Sequence, residues 1–157
     1  MKKEKTEQEL YGIATLMCAG SEHCAFDVQR RLLRHTENQQ VIARIIARLY
    51  KESYLDDERY ARAFIHDKVR FARWGTRRIA MELHQKGIDS HIFEPLLHDI
   101  NQEEYSDALQ SLLRTKARTI KASSPYELRM KLLRFAASRG YNFDEASETI
   151  EGLVIRD

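Results

Sequence analysis

The sequence predicts an all-α chain made of three tandem three-helix repeats. Three observations carry that prediction. Only six glycines and two prolines occur in 157 residues, and Leu, Ala, Arg, Glu and Lys dominate, so helix formers far outweigh helix breakers. Apolar residues recur at helical rather than alternating spacing. A succession of acidic cap, apolar stripe, basic run and turn glycine then returns after 53 residues, from Gly87 to Gly140. Units of this size bury too little surface to stand alone. They are expected to stack, with helix-turn-helix-like geometry, into an elongated, curved molecule. The boundaries fall at 1–53, 54–100 and 101–157.

The first repeat opens with a helix ending near Gly20. Ser21 is placed to cap a second helix carrying Phe26, Val28, Leu32 and Leu33. A third helix lines up Ile42, Ile45, Ile46 and Leu49 on one face. Where the other repeats have a turn glycine, this one has "HTEN".

The second repeat is the clearest. In "YLDDERYARAF", Asp56 is an N-cap, Asp57 and Glu58 offset the helix dipole, and Leu55 with Tyr60 forms a hydrophobic staple. Tyr60, Ala61, Phe64, Ile65, Phe71 and Ala72 define one buried face. The next helix runs from Thr76 to Lys86, with Gly87 past its C-cap and Ile88 folding back on Leu83. Asp89 caps a third helix, which Pro95 should kink or delay. Trp74 packs under the corner before the second helix, with stacking on an exposed base of single-stranded DNA as the alternative, and Gly75 supplies the turn.

The third repeat has a helix over 102–120. "SPYE" opens the next, with Ser124 as cap, Pro125 in first position and Glu127 completing a capping box. Gly140 ends it, and Asn142 with Glu145 starts the last helix. Tyr105, Tyr126, Phe135 and Tyr141 read as core.

The net charge of +2 conceals strong blocks. Residues 59–88 carry eight Lys/Arg against two Asp/Glu, 89–113 none against six, 114–139 eight against one, and 140–157 one against five. Such alternation describes two basic zones, each followed by an acidic element. Arg59, Arg62, His66, Arg70 and Arg73 would fall within an arc of roughly 80° on a regular helix. Arg77 and Arg78 extend the stripe. Lys116, Arg118, Lys121, Arg129 and Lys131, with Arg114, Arg134 and Arg139, repeat the theme in the third repeat. A surface of this kind engages phosphates without reading bases, or meets an acidic protein groove.

Catalytic patterns are absent from the sequence. There is no G-x-x-x-x-G-K-[ST] and no nucleophile–base constellation. Cys18, His23, Cys24 and His35 match no common zinc spacing. Asp56 and Asp57 are explained as cap and first turn. No catalytic residue, metal or cofactor is therefore expected. No apolar run approaches the ~20 residues of a membrane span, and the charged start "MKKEKTEQEL" lacks the apolar stretch of a secretion signal. The expected compartment is the cytoplasm, where the two cysteines stay reduced.

"YLDDERYARAF" followed by a basic run, "WGTRRI", "EL" and "QKGI", together with "KLLRFAASRGYNFDEA", resembles the RecX family of bacterial regulatory proteins. The resemblance is specific over 54–88, good over 126–150 and loose before residue 40. It implies a non-enzymatic modulator of the RecA recombinase. Such a protein would lie in the groove of the RecA filament on single-stranded DNA and restrain ATP hydrolysis, strand exchange, filament growth and co-protease activity. That would modulate recombinational repair and the SOS response. RecA filaments are then the expected partner, with weak, sequence-independent contact to single-stranded or duplex DNA, and a monomer is expected. The residues alone also admit a helix-turn-helix-like regulator acting on DNA directly, although no base-reading set stands apart from the charge.

Overall fold

The computed structural model of the chain describes residues 4–156; the first three residues of the charged start, and Asp157, lie outside the described residues. Among the described residues the fold is entirely helical: α1 (Glu7–Gly20), α2 (Ala25–Leu32), α3 (Gln39–Lys51), α4 (Asp57–Asp67), a π-turn (Lys68–Ala72), α5 (Thr76–Gln85), α6 (Ser90–His98), α7 (Gln102–Ala117), α8 (Pro125–Ser138) and α9 (Phe143–Arg156). Contacts gather them into two compact units. One takes the chain up to Ala63 together with Leu83–Phe93, the other Phe64–Glu82 together with the chain from Glu94 onward. Residues of the second repeat are thus shared between the two.

In the first unit, α1, α2 and α3 each pack on the other two. Their apolar faces meet in a core of Leu10, Tyr11, Ala14, Val28, Leu32, Ile42, Ile45, Leu49 and Leu55. The helix ends are chemically specified. Thr6 and Glu9 form a reciprocal capping box at the start of α1, and Asn38 accepts from the amides of Gln40 and Val41 at the start of α3. The expectation for Ser21 does not hold. Ser21 follows the end of α1 with its hydroxyl on His23 Nε2, and the N-cap of α2 is Cys24, whose side chain makes no cap hydrogen bond. Nor are Phe26 and Leu33 core residues; both are exposed, and only Val28 and Leu32 of that set are buried. An eight-residue helix offers the core a single narrow stripe.

Asp56 caps α4 by accepting from the Arg59 amide at 2.9 Å, and both members of the staple, Leu55 and Tyr60, are buried. Gly87 adopts φ 79°, so the Ile88 amide reaches the Leu83 carbonyl at 3.0 Å with both side chains buried. This is the Schellman ending read from the sequence. Pro95 does not delay α6: the amides of His91, Ile92 and Phe93 already bond to Asp89, upstream of the proline.

Lys86 Nζ donates to Asp27 Oδ1 at 2.6 Å in this unit, and neither side chain is more than about a quarter exposed. Burial pushes the Asp27 carboxyl up, but hydrogen bonds from Lys86 and Cys24 and the Lys86 charge together bring it below its ordinary 3.8. A carboxyl lowered on folding stabilises the folded state above the unfolded pKa and loses that contribution as pH falls through the folded one. Lys86→Met should therefore lower stability at pH 7 by about 1–2 kcal/mol, between the surface and buried ion-pair ranges. The difference should shrink at pH 3, below the ordinary 3.8 of the unfolded carboxyl and on the way to the lowered folded pKa. Urea denaturation of both proteins at the two pH values measures it, and a gap that widens in acid would refute the pairing.

In the second unit, α7 packs on α8, α9 and the π-turn, and α8 packs on α9. Ser124 caps α8 with Pro125 in first position. The Glu127 carboxylate reaches one residue farther back than a capping box requires, accepting from the amide and hydroxyl of Ser123. Those bonds, led by the hydroxyl, lower its pKa to about 2. Asn142 and Glu145 form the full reciprocal box at 2.9 Å each way.

Candidate functional site

The corner around Trp74 is built by a change of helix type. After Asp67 the chain winds into the five-residue π-turn, and Arg73 then takes left-handed angles, φ 55° and ψ 47°. An i→i+5 turn holds more residues than a 3.6-residue turn, so side chains beyond Asp67 leave the register of α4. Phe71, expected on the buried face, is 72% exposed. That leaves in water a side chain whose burial is worth about 1.5–3 kcal/mol. Ala72 is half-buried and Val69, not named in that face, is buried.

Trp74 is half-buried, with its ring edge-on to Phe64 at 6.3 Å. The Arg78 guanidinium lies 4.1 Å and the Lys68 ammonium 4.8 Å from its centroid. Cations already occupy the ring's π system, which agrees with a packing role at the corner.

Gly75 does not supply a left-handed turn; Arg73 does. Gly75 is there for contact. Its amide donates to the Arg139 carbonyl at 2.7 Å, and the Arg77 amide to the Gly140 carbonyl at 3.1 Å. A Cβ on Gly75 would overlap the Gly140 carbonyl and the Tyr141 amide nitrogen; one on Gly140 would lie 2.5 Å from Arg78 Cβ. Gly140 also needs its φ of 96°. Tyr141 Oη donates to the Arg73 carbonyl at 3.0 Å. The Thr76 amide donates to Tyr105 Oη, which donates to Glu145. Burial above all pushes the Tyr105 phenol up to about 12 and raises that of Tyr141 as well. Both hydroxyls remain donors across the ordinary pH range. The glycines of "WGT" and "RGY" thus form a backbone clasp; beside it Arg77 is exposed, Arg73 is half-buried, and Arg78 is half-buried against Trp74.

The basic residues singled out from the sequence divide by partner. In the first unit, Arg59 is engaged within the fold, with Nε 2.5 Å from Glu22 and a terminal nitrogen on the carbonyls of Ser53 and Tyr54. Arg62 pairs with Glu58 at 3.0 Å but stays largely exposed. In the second unit, Arg129 pairs with Glu151 and Lys131 with Glu127, Lys116 lies over the Phe135 ring, and Arg70 approaches Glu104 only to 4.0 Å. Among the described residues Arg73, Arg77, Arg118 and Lys121 make no ion pair with a carboxylate. Tyr126, expected in the core, is 71% exposed, because it stands at the second position of α8, ahead of the buried Leu132 and Ala136.

Beside the π-turn, Arg70 and Arg73 line a shallow, open groove of about 520 Å³, shared with Asn101, Glu103, Glu104 and Asp107 of the α7 region. Phe71, between the two arginines in the chain, has its centroid 5.9 Å from the Arg70 guanidinium. Sequence reasoning missed Phe71 as a surface residue and had no signal for the π-turn.

Both cysteines are free thiols, and burial first of all pushes the pKa of each upward, which leaves them poorly nucleophilic. Among the described residues no group of three or more His, Cys, Asp or Glu could hold a metal ion, and no helix is long and apolar enough to cross a membrane.

Two family models match the chain: RecX, second three-helix domain, over residues 56–94, and RecX, third three-helix domain, over residues 102–150. Together they cover more than half of it. A regulatory protein RecX from Leuconostoc mesenteroides is 25% identical over 90% of this chain and 53% of its own length. One from Finegoldia magna is 34% identical over 69% of this chain and 54% of its own. The chain therefore spans about half the length of these curated relatives. The crystal structure of RecX from Lactobacillus salivarius superposes with a TM-score of 0.77 at 19% identity, covering 95% of this chain and 97% of that one; it shows the same fold. The tandem three-helix architecture and the two matched domains establish that this chain belongs to the RecX family of regulatory proteins.

Proposed function

We propose that this protein binds RecA filaments on single-stranded DNA and restrains RecA's ATP hydrolysis, strand exchange and co-protease activity. It would thereby damp recombinational repair and the SOS response. The observation that carries this reading is membership of the RecX family through its second and third three-helix domains. The protein acts by occupancy, as a cytoplasmic monomer without catalysis of its own. Bound along the filament, it favours one filament state over others by differential affinity. The arginines and lysines of the sequence-defined set that the fold leaves exposed, apart from Arg59 with its partners in the fold, are the contact surface, and their chemistry suits phosphates held without base reading.

Single-stranded-DNA-dependent ATP hydrolysis by RecA of the same organism, titrated with this protein at two salt concentrations, tests the reading. Inhibition is expected at less than one molecule per RecA, weakening as salt screens the basic faces. Absence of inhibition up to excess protein would overturn it; specific duplex binding by the protein alone would replace it with a DNA-binding regulator.

A further inference from the structure

We propose that the groove between the π-turn and α7, together with the exposed Phe71 ring beside its Arg70 edge, is a docking site for a protein surface, and that it does not hold nucleic acid. The inference rests on the filament-binding reading and divides the contact surface by partner. Phe71 is the most exposed large aromatic among the described residues, at 72%. It stands on a π-turn, a helix irregularity that recurs at functional sites. The left-handed Arg73, held at its carbonyl by Tyr141, ends that turn. An exposed aromatic beside arginines is the composition of an interface centre.

The charge of the groove selects the partner. Arg70 and Arg73 form one side, and Glu103, Glu104 and Asp107 line the same space. Arg70 lies 4.0 Å from Glu104, and residues 89–113 supply no Lys or Arg to neutralise Glu103 and Asp107. A phosphate backbone entering to meet the arginines would be repelled by the carboxylates. A polypeptide surface carries both signs, and can place a basic side chain on the carboxylates, a carboxylate on the arginines and a pocket over Phe71. Phosphate contact is left to residues such as Arg77, Arg118 and Lys121.

The experiment compares the unmodified protein with Phe71→Ala and Asp107→Lys. Inhibition of the RecA ATPase on single-stranded DNA is measured alongside binding of a labelled oligonucleotide without RecA. Both positions are exposed, and far-UV circular dichroism should confirm unchanged helicity. Each substitution should raise the concentration for half-inhibition roughly 10-fold or more, the scale of an interface anchor. Phe71→Ala should leave oligonucleotide affinity unchanged. The charge reversal discriminates by sign: it repels a basic protein side chain but attracts a nucleic acid. Stronger inhibition by Asp107→Lys, a parallel loss of oligonucleotide binding in Phe71→Ala, or normal inhibition by both variants would overturn the proposal. Failure of the unmodified protein to inhibit would instead bring down the filament reading itself, and this proposal with it.

Discussion

Gly75→Ala should destabilise the second unit by about 3–5 kcal/mol, combining overpacking with weakened backbone hydrogen bonds. The new methyl group would meet main chain, the carbonyl of Gly140 and the amide of Tyr141, and main chain cannot swing aside as a lysine tip would. Admitting it means separating two segments that the 2.7 Å bond from Gly75 to Arg139 and the 3.1 Å bond from Arg77 to Gly140 hold together. On the scale of ~2–4 °C per kcal/mol for chains of this size, the melting temperature should fall by roughly 6–20 °C. Gly12→Ala is the contrast. Gly12 lies exposed within α1 with nothing within 4 Å of a Cβ, so alanine there should stabilise by about 0.5–1 kcal/mol. Thermal denaturation followed by circular dichroism measures both. A Gly75→Ala protein that melts with the unmodified one would show that the clasp yields. Because the clasp holds the segment that carries the exposed Arg77, inhibition of RecA should decline in the same variant.

That clasp marks the boundary of what sequence reading reaches. Caps, staples and glycine stops are local: Asp56, Gly87, Asn142 and Glu145 each act within a few residues, and each occupies the role its neighbours specify. The reading of Gly75 as a turn residue failed because the need for glycine comes from a strand of chain 65 residues away. Phe71 failed for a different reason. Periodicity arguments assume 3.6 residues per turn, and one π-turn rotates everything after it. The arc of the basic stripe was likewise counted on a regular helix, whereas Arg70 lies in the π-turn and Arg73 closes it in left-handed conformation. Arg59 shows a third limit. Charge alone does not tell an arginine offered to a partner from one consumed by Glu22 and two carbonyls.

Replacing Arg77, Arg118 and Lys121 together by glutamine should weaken filament inhibition and its salt dependence without unfolding the protein. None of the three pairs with a carboxylate among the described residues, and all are exposed, so the stability change should stay within ~0.5 kcal/mol. If each meets one phosphate, removing three should flatten the slope of log affinity against log salt by roughly 2, at ~0.7 per contact on a single strand. The midpoint of inhibition should rise about 10-fold or more at low salt and less at high salt, where ions already screen the lost contacts. Arg59→Gln separates charge from role. It removes one unit of the same charge, but from a side chain that ties Glu22 to the carbonyls of Ser53 and Tyr54. It should cost about 1–2 kcal/mol of stability, as lost charge-assisted hydrogen bonds do, and leave the salt slope unchanged. Salt titrations of ATPase inhibition for the two variants, beside their melting curves, read both quantities. A triple variant with the original slope would remove phosphate contact from these residues. A slope that fell equally in Arg59→Gln would mean that net charge, rather than placed side chains, draws the protein to the filament.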